Sequence, residues 1–179
     1  IVKGTIFLLQ DQQRKLNAPS EGERLSALTE LIRAERSGDL SAPKSAGFVN
    51  NHIHTIYSFS PYSPSAAIWK ARAAGLETAG IMDHDSVGGL NEFIAASKIT
   101  GLPVTCGFEI RVSLAGSPFM NRRVNNPDQN GVAYLAAHGI PRNKIAECES
   151  FLAPFRSARN IRNRKMTENL NKLLAPANV

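Results

Sequence analysis

Two histidines separated by a single residue, His52 and His54, constrain this chain more than any other feature of its sequence. They closely follow the apolar run Gly47-Phe48-Val49, which predicts that both lie at the end of a β-strand. Side chains two residues apart on a strand share a face, so the two imidazoles would point the same way. Neutral imidazole readily binds divalent metals, which makes the pair a candidate metal site. The alternative is two surface histidines beside a turn.

Three further apolar runs also end in ionisable groups, and their spacing favours the metal site. Asp83 and His84 end one run, Glu109 ends a second and His138 ends a third. The intervals from His54 to Asp83, from there to Glu109 and from there to His138 are 29, 26 and 29 residues. A strand, a helix and two loops take about 30 residues. Each unit would therefore bring an ionisable group to the carboxyl end of a parallel sheet, where α/β barrels keep their active sites.

The spacing of apolar residues predicts the secondary structure around these groups. Apolar residues recur at helical spacing over 21–36 and predict a helix there, whereas Ile6–Leu9 fit either a short strand or a helix. The predicted strands cover 47–54, 78–83, 103–109 and 132–137, and further predicted helices cover 64–74, 90–99 and a segment from Pro141 onward. The sequence therefore predicts an α/β fold in which about four parallel strands alternate with helices.

Length and composition indicate a globular chain. With 179 residues, 42% hydrophobic and 20% charged, it can bury a core of its own. We expect an N-terminal helical extension and linker at 1–45, an α/β core at 46–140 and a basic helical segment at 141–179. The net charge of +6 is concentrated in that last segment, which would attract phosphates or nucleic acid. No aromatic residue interrupts 156–165, so a solvated helix face is the simpler interpretation.

The cellular setting is predicted from what the sequence contains. It has no apolar run long enough to cross a bilayer and no signal-peptide cleavage pattern, so we expect no membrane association. Cys106 and Cys148 do not make a disulfide framework, and the cytoplasm is the expected location. The first residue is Ile1 rather than Met, and we expect the sequence to begin inside a longer reading frame.

Three short motifs occur in order along residues 47–112. They are His52-Ile53-His54-Thr55-Ile56-Tyr57-Ser58, then Met82-Asp83-His84-Asp85, then Gly107-Phe108-Glu109. They resemble the motifs His-x-His-Thr-x-x-Ser, Thr-Asp-His-Asp and Gly-x-Glu of the PHP family, named for polymerase and histidinol phosphatase. Members of that family are distorted (β/α)7 barrels that bind two or three divalent ions, such as zinc, manganese or iron, and hydrolyse phosphate esters.

The resemblance implies a role for each matching residue. His52 and His54 would hold a first metal ion, and Glu109 would bridge two ions. His84 would serve a third metal site, and His138 would be a ligand of the second. As catalytic residues the resemblance implies Glu109 and Asp83, although Asp83 could instead orient an imidazole from the second shell of ligands.

The chain departs from the family pattern at three points. Phe59 stands where the family often has an acid, and an aromatic side chain cannot bind a metal ion. No histidine follows His138, where the family has further ligands. Four strands are predicted where the barrel needs about seven repeats. The resemblance therefore predicts a partial, truncated barrel.

The predicted reaction is hydrolysis of a small phosphorylated substrate by metal-activated water. Arg111, Arg122 and Arg123 follow the third predicted strand and could receive the phosphate, or they are ordinary surface arginines. Three alternatives remain open: an amidohydrolase-like enzyme, a metal-binding regulatory module without turnover, and a nucleic-acid enzyme. The amidohydrolase alternative is disfavoured, since no predicted strand ends in the lysine that such enzymes need.

Overall fold

The computed structural model describes residues 3–177 as five helices, four strands and two short 3-10 turns. The helices are α1 (Lys3–Lys15), α2 (Glu21–Ser37), α3 (Pro64–Ala73), α4 (Leu90–Thr100) and α5 (Ile145–Leu174). The strands are β1 (Val49–Ile53), β2 (Thr78–His84), β3 (Val104–Ser113) and β4 (Val132–His138). The ambiguous N-terminal segment is therefore helical. Within the described range, no helix is both long and apolar enough to cross a membrane.

The four strands form one curled sheet in the order β1-β2-β3-β4, a half-barrel that confirms the predicted α/β fold and partial barrel. The first three strands are parallel, as predicted, but β4 runs antiparallel to β3, so the prediction of a parallel fourth strand is wrong. The reason is the connection at 114–131, which contains no crossover helix. Its two ends meet where the Leu114 backbone N–H donates to the Gly131 carbonyl over 2.8 Å. A returning chain without a crossover can pair only in the antiparallel sense.

Helices α3 and α4 pack against one face of the sheet, and α2 packs against both of them, so that the three helices form most of the core. The fully buried side chains there include Leu28, Leu31, Ile68, Leu90 and Phe93, and α5 adds Leu152 to the same core. Ile81 of β2 and Phe108 of β3 also belong to it. Since side chains alternate along a strand, His84 and Glu109 point to the opposite face, away from α3 and α4.

Local sequence explains where the helices begin and end. The Ser63 side chain accepts a hydrogen bond from the Ala66 backbone N–H at the start of α3, and Pro64 occupies the first helical position. Gly38 ends α2 with a φ of +84°, a conformation that glycine adopts without strain. The predicted helix at 21–36 is therefore confirmed within one residue.

Candidate metal centre

Strand β1 and the residue after it deliver the two histidines of the first motif. His52 lies in β1 and His54 follows its last residue, and the two rings lie 5.1 Å apart between centroids. The pairing of β1 with β2 shifts register between Asn50 and Ile53. Gly80 of β2 permits the close approach of the strands, because a Cβ there would lie 2.7 Å from the Cα of Asn51.

Three imidazoles converge on a single carboxylate oxygen. The Oε2 atom of Glu109 lies 3.3 Å from Nε2 of His52, 3.9 Å from Nε2 of His54 and 3.4 Å from Nε2 of His84. His84 and Glu109 are direct partners in the pairing of β2 with β3, which places them side by side where β2 ends, whereas β3 continues to Ser113. Residues from all three parallel strands therefore meet at one point.

The spacing of these atoms fits a shared divalent ion. Among the described residues, His52, His54 and Glu109 form the group whose ligand atoms all lie within 4.8 Å of one another. Two donors bound to one tetrahedral ion at about 2.1 Å are separated by about 3.4 Å. The observed separations lie close to that value and beyond an ordinary N–H···O hydrogen bond. His84 lies outside the group, yet its Nε2 atom contacts the same carboxylate oxygen of Glu109.

Burial favours the metal-binding form of two of these histidines. The pKa of His54 is lowered mainly by burial and further by neighbouring His52, and burial is also the main cause that lowers the pKa of His84. A lowered pKa keeps each imidazole neutral near pH 7, with a lone pair available for a metal ion. The donor set of neutral imidazoles and a carboxylate suits zinc, iron and manganese alike.

Asp83 is buried beside the segment that follows β1, and its hydrogen-bond partners are Thr55 and Ser58 rather than Glu109. Its carboxylate is 1% exposed and accepts three hydrogen bonds. Two come from Thr55, from the backbone N–H over 2.7 Å and from the hydroxyl over 2.6 Å, and one comes from the Ser58 hydroxyl over 2.5 Å. Asp83 therefore anchors the segment that follows β1 to the end of β2.

Aromatic rings pack against His54 and His84. His54 and His84 stack with 4.9 Å between centroids, and Phe59 contacts His84 edge-on at 4.7 Å. Tyr134 of β4 contacts His84 from another side at 5.4 Å. Phe59, which stands where the PHP motif often has an acid, thus packs against His54 and His84 while 77% of it stays exposed.

His138 shares the sheet face of Glu109 but is not part of the three-residue group. It pairs with Gly107, whereas Glu109 pairs with Ala136. Directly paired residues lie on the same face, so His138 is a diagonal neighbour of Glu109 at about 7–8 Å between Cα atoms. The side chain of His138 is exposed. Its place as a ligand stays a prediction.

A basic cavity of about 290 Å³ lies beside the candidate metal centre, and of its arginines the sequence analysis singled out Arg111. Its lining includes Arg111 of β3 and Arg159 and Arg162 of α5. Arg159 reaches Asp85, with 3.3 Å between Nη1 and Oδ2, and the Asp85 backbone N–H donates to the Glu109 carbonyl over 2.9 Å. This ion pair connects α5 to the part of the sheet that holds His84 and Glu109.

The sequence predicts only part of the lining of this cavity. Arg159 and Arg162 are three residues apart and so share a helix face, yet the sequence alone favoured a solvated surface for that face. The two other predicted phosphate-binding arginines, Arg122 and Arg123, are exposed on the connection between β3 and β4. Only Arg111 among the three predicted arginines lines the cavity.

Comparison with known proteins finds a similar structure and a similar sequence segment. The fold is similar to the crystal structure of a Bifidobacterium adolescentis protein that carries the provisional name metal-dependent phosphoesterase, with a TM-score of 0.55, 28% sequence identity and 74% of this chain covered. A 65-residue segment, 36% of this chain, is 31% identical to a 5′-3′ exoribonuclease of Haemophilus influenzae. The matches span 40% of the first protein and 24% of the second, well under two thirds of either. No protein-family profile matches the chain.

Proposed function

We propose that this chain carries the metal centre of a PHP-type phosphoesterase, which hydrolyses a small phosphorylated substrate. The observation that carries the proposal is the convergence of three imidazole Nε2 atoms on the Oε2 atom of Glu109. Similarity to a structure named as a metal-dependent phosphoesterase supports the reaction class. The three sequence motifs support the PHP type.

The proposed ligands divide between two positions around one carboxylate. His52, His54 and Glu109 would hold one divalent ion, and His84 would hold a second ion that shares the Glu109 carboxylate. His138, as a diagonal neighbour on the same face, would complete the second position. Bound ions of this kind lower the pKa of a coordinated water and neutralise charge on phosphoryl oxygens. Glu109 is thus the proposed catalytic residue, and Asp83 acts through the segment that it anchors.

The basic cavity would bind the phosphate group. The guanidinium of Arg presents parallel N–H donors that match phosphate oxygens, and Arg111, Arg159 and Arg162 supply three such groups beside the metal centre. Asp85 holds Arg159 in place through their ion pair. An anionic substrate would therefore be oriented by α5 and cleaved at the end of the sheet.

Hydrolysis of an aryl phosphate ester tests the proposal. The full chain supplied with manganese or zinc should hydrolyse para-nitrophenyl phosphate, and His54→Ala should reduce the rate at least about 100-fold, since a ligand is lost. Arg33→Ala, on the exposed face of α2, is the matched control and should leave the rate unchanged. A chain that binds metal but cleaves no ester would contradict the proposal and favour the regulatory-module alternative.

RNA is a second candidate substrate, and the similarity to an exoribonuclease favours it. The chemistry would be the same, with the cleaved phosphate ester in an RNA backbone. A 5′-phosphorylated oligonucleotide labelled at its 3′ end should then shorten one nucleotide at a time. If the aryl ester is cleaved and the oligonucleotide remains intact, the small-substrate proposal stands and the RNA candidate fails.

A further inference from the structure

We infer that Ser58 is a positioning residue that fixes the tautomer of His54, so that Nε2 carries the free lone pair facing Glu109. The inference rests on the proposed metal centre and deepens it. Its basis is a continuous chain of contacts that runs from Asp83 through the Ser58 hydroxyl to the imidazole of His54. Nothing in the sequence motifs alone states which ring nitrogen of His54 is protonated.

The first step concerns the single hydroxyl proton of Ser58. The Ser58 hydroxyl donates to Oδ1 of Asp83 over 2.5 Å. An ionised carboxylate only accepts hydrogen bonds, and the same oxygen also accepts from the Thr55 backbone N–H over 2.7 Å. Asp83 therefore takes up the one proton that the Ser58 hydroxyl has to give.

The second step follows at the imidazole. Nδ1 of His54 lies 3.0 Å from the Ser58 oxygen. With its proton committed to Asp83, that oxygen can only accept, so Nδ1 must be the donor. A neutral imidazole carries one N–H, which leaves Nε2 unprotonated. Nε2 of His54 faces Oε2 of Glu109 at 3.9 Å, which is the direction in which the proposed ion would bind.

His54 is distinctive in this respect. Among the described residues, it is the one metal-centre histidine whose second ring nitrogen has a hydrogen-bond partner. Partners of this kind fix the tautomer and ring orientation of a ligating histidine, and their loss typically weakens metal binding about 10- to 100-fold. Free histidine in water favours the opposite tautomer, with the proton on Nε2. Ser58 therefore removes a tautomer change that would otherwise accompany metal binding.

Nitrogen NMR of the ion-free chain tests the tautomer directly. At pH 8, the long-range ¹H–¹⁵N spectrum of wild type should show His54 with a protonated Nδ1 and an unprotonated Nε2. In Ser58→Ala the proton should move substantially to Nε2, and Ser58→Thr, which keeps the hydroxyl, should restore the wild-type pattern. A wild-type His54 protonated at Nε2 would overturn the inference without the use of any variant.

Zinc affinity provides a second readout, measured by competition with a chromophoric chelator. Ser58→Ala should bind zinc about 10- to 100-fold more weakly than wild type, with recovery in Ser58→Thr. Ser60→Ala is the matched control, since Ser60 lies in the same segment and its hydroxyl accepts only from the Tyr62 backbone N–H. Affinity of Ser58→Ala within twofold of wild type would contradict the inference.

The two readouts separate this inference from the proposed function. Neither measurement depends on ester hydrolysis. If wild type bound no zinc, the proposed metal centre would fail, whereas the NMR pattern of the ion-free chain would still support or overturn the role of Ser58.

Discussion

Replacing Asp83 with alanine should cost this fold about 3–5 kcal/mol. The carboxylate is 1% exposed and accepts hydrogen bonds from the Thr55 N–H, the Thr55 hydroxyl and the Ser58 hydroxyl. Each hydrogen bond to a charged group contributes about 1.5–3 kcal/mol, so three bonds amount to about 5–9 kcal/mol. Hydrogen bonds that share one carboxylate are not additive, so the loss is smaller than this sum. The net loss is a large part of the 5–15 kcal/mol that stabilises a typical domain.

Urea denaturation of the ion-free chain, followed by circular dichroism, measures this loss. The Asp83→Ala midpoint should fall while the slope of the transition stays unchanged, because the area exposed on unfolding is nearly the same. Asp39→Ala is the matched control, since it removes the same charge from an exposed site that accepts one hydrogen bond from Ser37. The control should lose less than about 1 kcal/mol. A loss that small for Asp83→Ala would refute the account of this residue as the anchor of the segment after β1.

Two further predictions concern buried charge. Glu92→Ala should destabilise the chain by about 3–5 kcal/mol, because it leaves the buried Arg24 guanidinium without the carboxylate that lies 2.6 Å away. Glu147→Ala, which removes the exposed partner of Lys144, should cost less than about 1 kcal/mol. The second prediction is that the ion-free chain becomes less stable as the pH falls below about 6.5, the ordinary pKa of histidine. Burial holds the pKa of His54 and His84 below that value, so the unfolded chain binds more protons there.

Urea denaturation also checks both of these predictions. Equal losses for Glu92→Ala and Glu147→Ala would show that the buried pair contributes no more than a surface pair. For the pH dependence, the free energy of unfolding is compared at pH 7.5 and pH 5.5 in the presence of a chelator. A higher value at pH 5.5 would have the wrong sign for histidines that are buried in the neutral form.

Much of the parallel sheet could be predicted because its signals are local. Apolar runs that end in His52, Asp83 and Glu109 correspond to β1, β2 and β3, and alternation along these strands accounts for the shared face of the histidines and the glutamate. The convergence of these groups also follows from parallel pairing, since the carboxyl ends of parallel strands meet at one edge.

The direction of β4 could not be predicted from spacing. The interval from Glu109 to His138 is 29 residues, the same as the interval from His54 to Asp83. One interval contains a crossover helix and the other contains an irregular connection at 114–131, so equal lengths lead to opposite strand directions. The composition of this connection, which is rich in turn-forming residues, predicts the direction of β4 better than its length does.

The basic cavity depends on tertiary placement. Arg111 and Arg159 are 48 residues apart in the chain and line one cavity, in which Arg159 of α5 pairs with Asp85. A basic helix face has the same local pattern whether it faces solvent or a phosphate site. The contribution of α5 therefore could not be inferred from its own sequence.

Metal content tests the central claim most directly. The wild-type chain, loaded with zinc and then freed of loosely bound metal by gel filtration, should retain at least one zinc ion per chain by elemental analysis. His54→Ala should retain little, with circular dichroism close to that of wild type. Retention of the wild-type zinc content by a folded His54→Ala variant would contradict the assignment of His52, His54 and Glu109 as a metal centre.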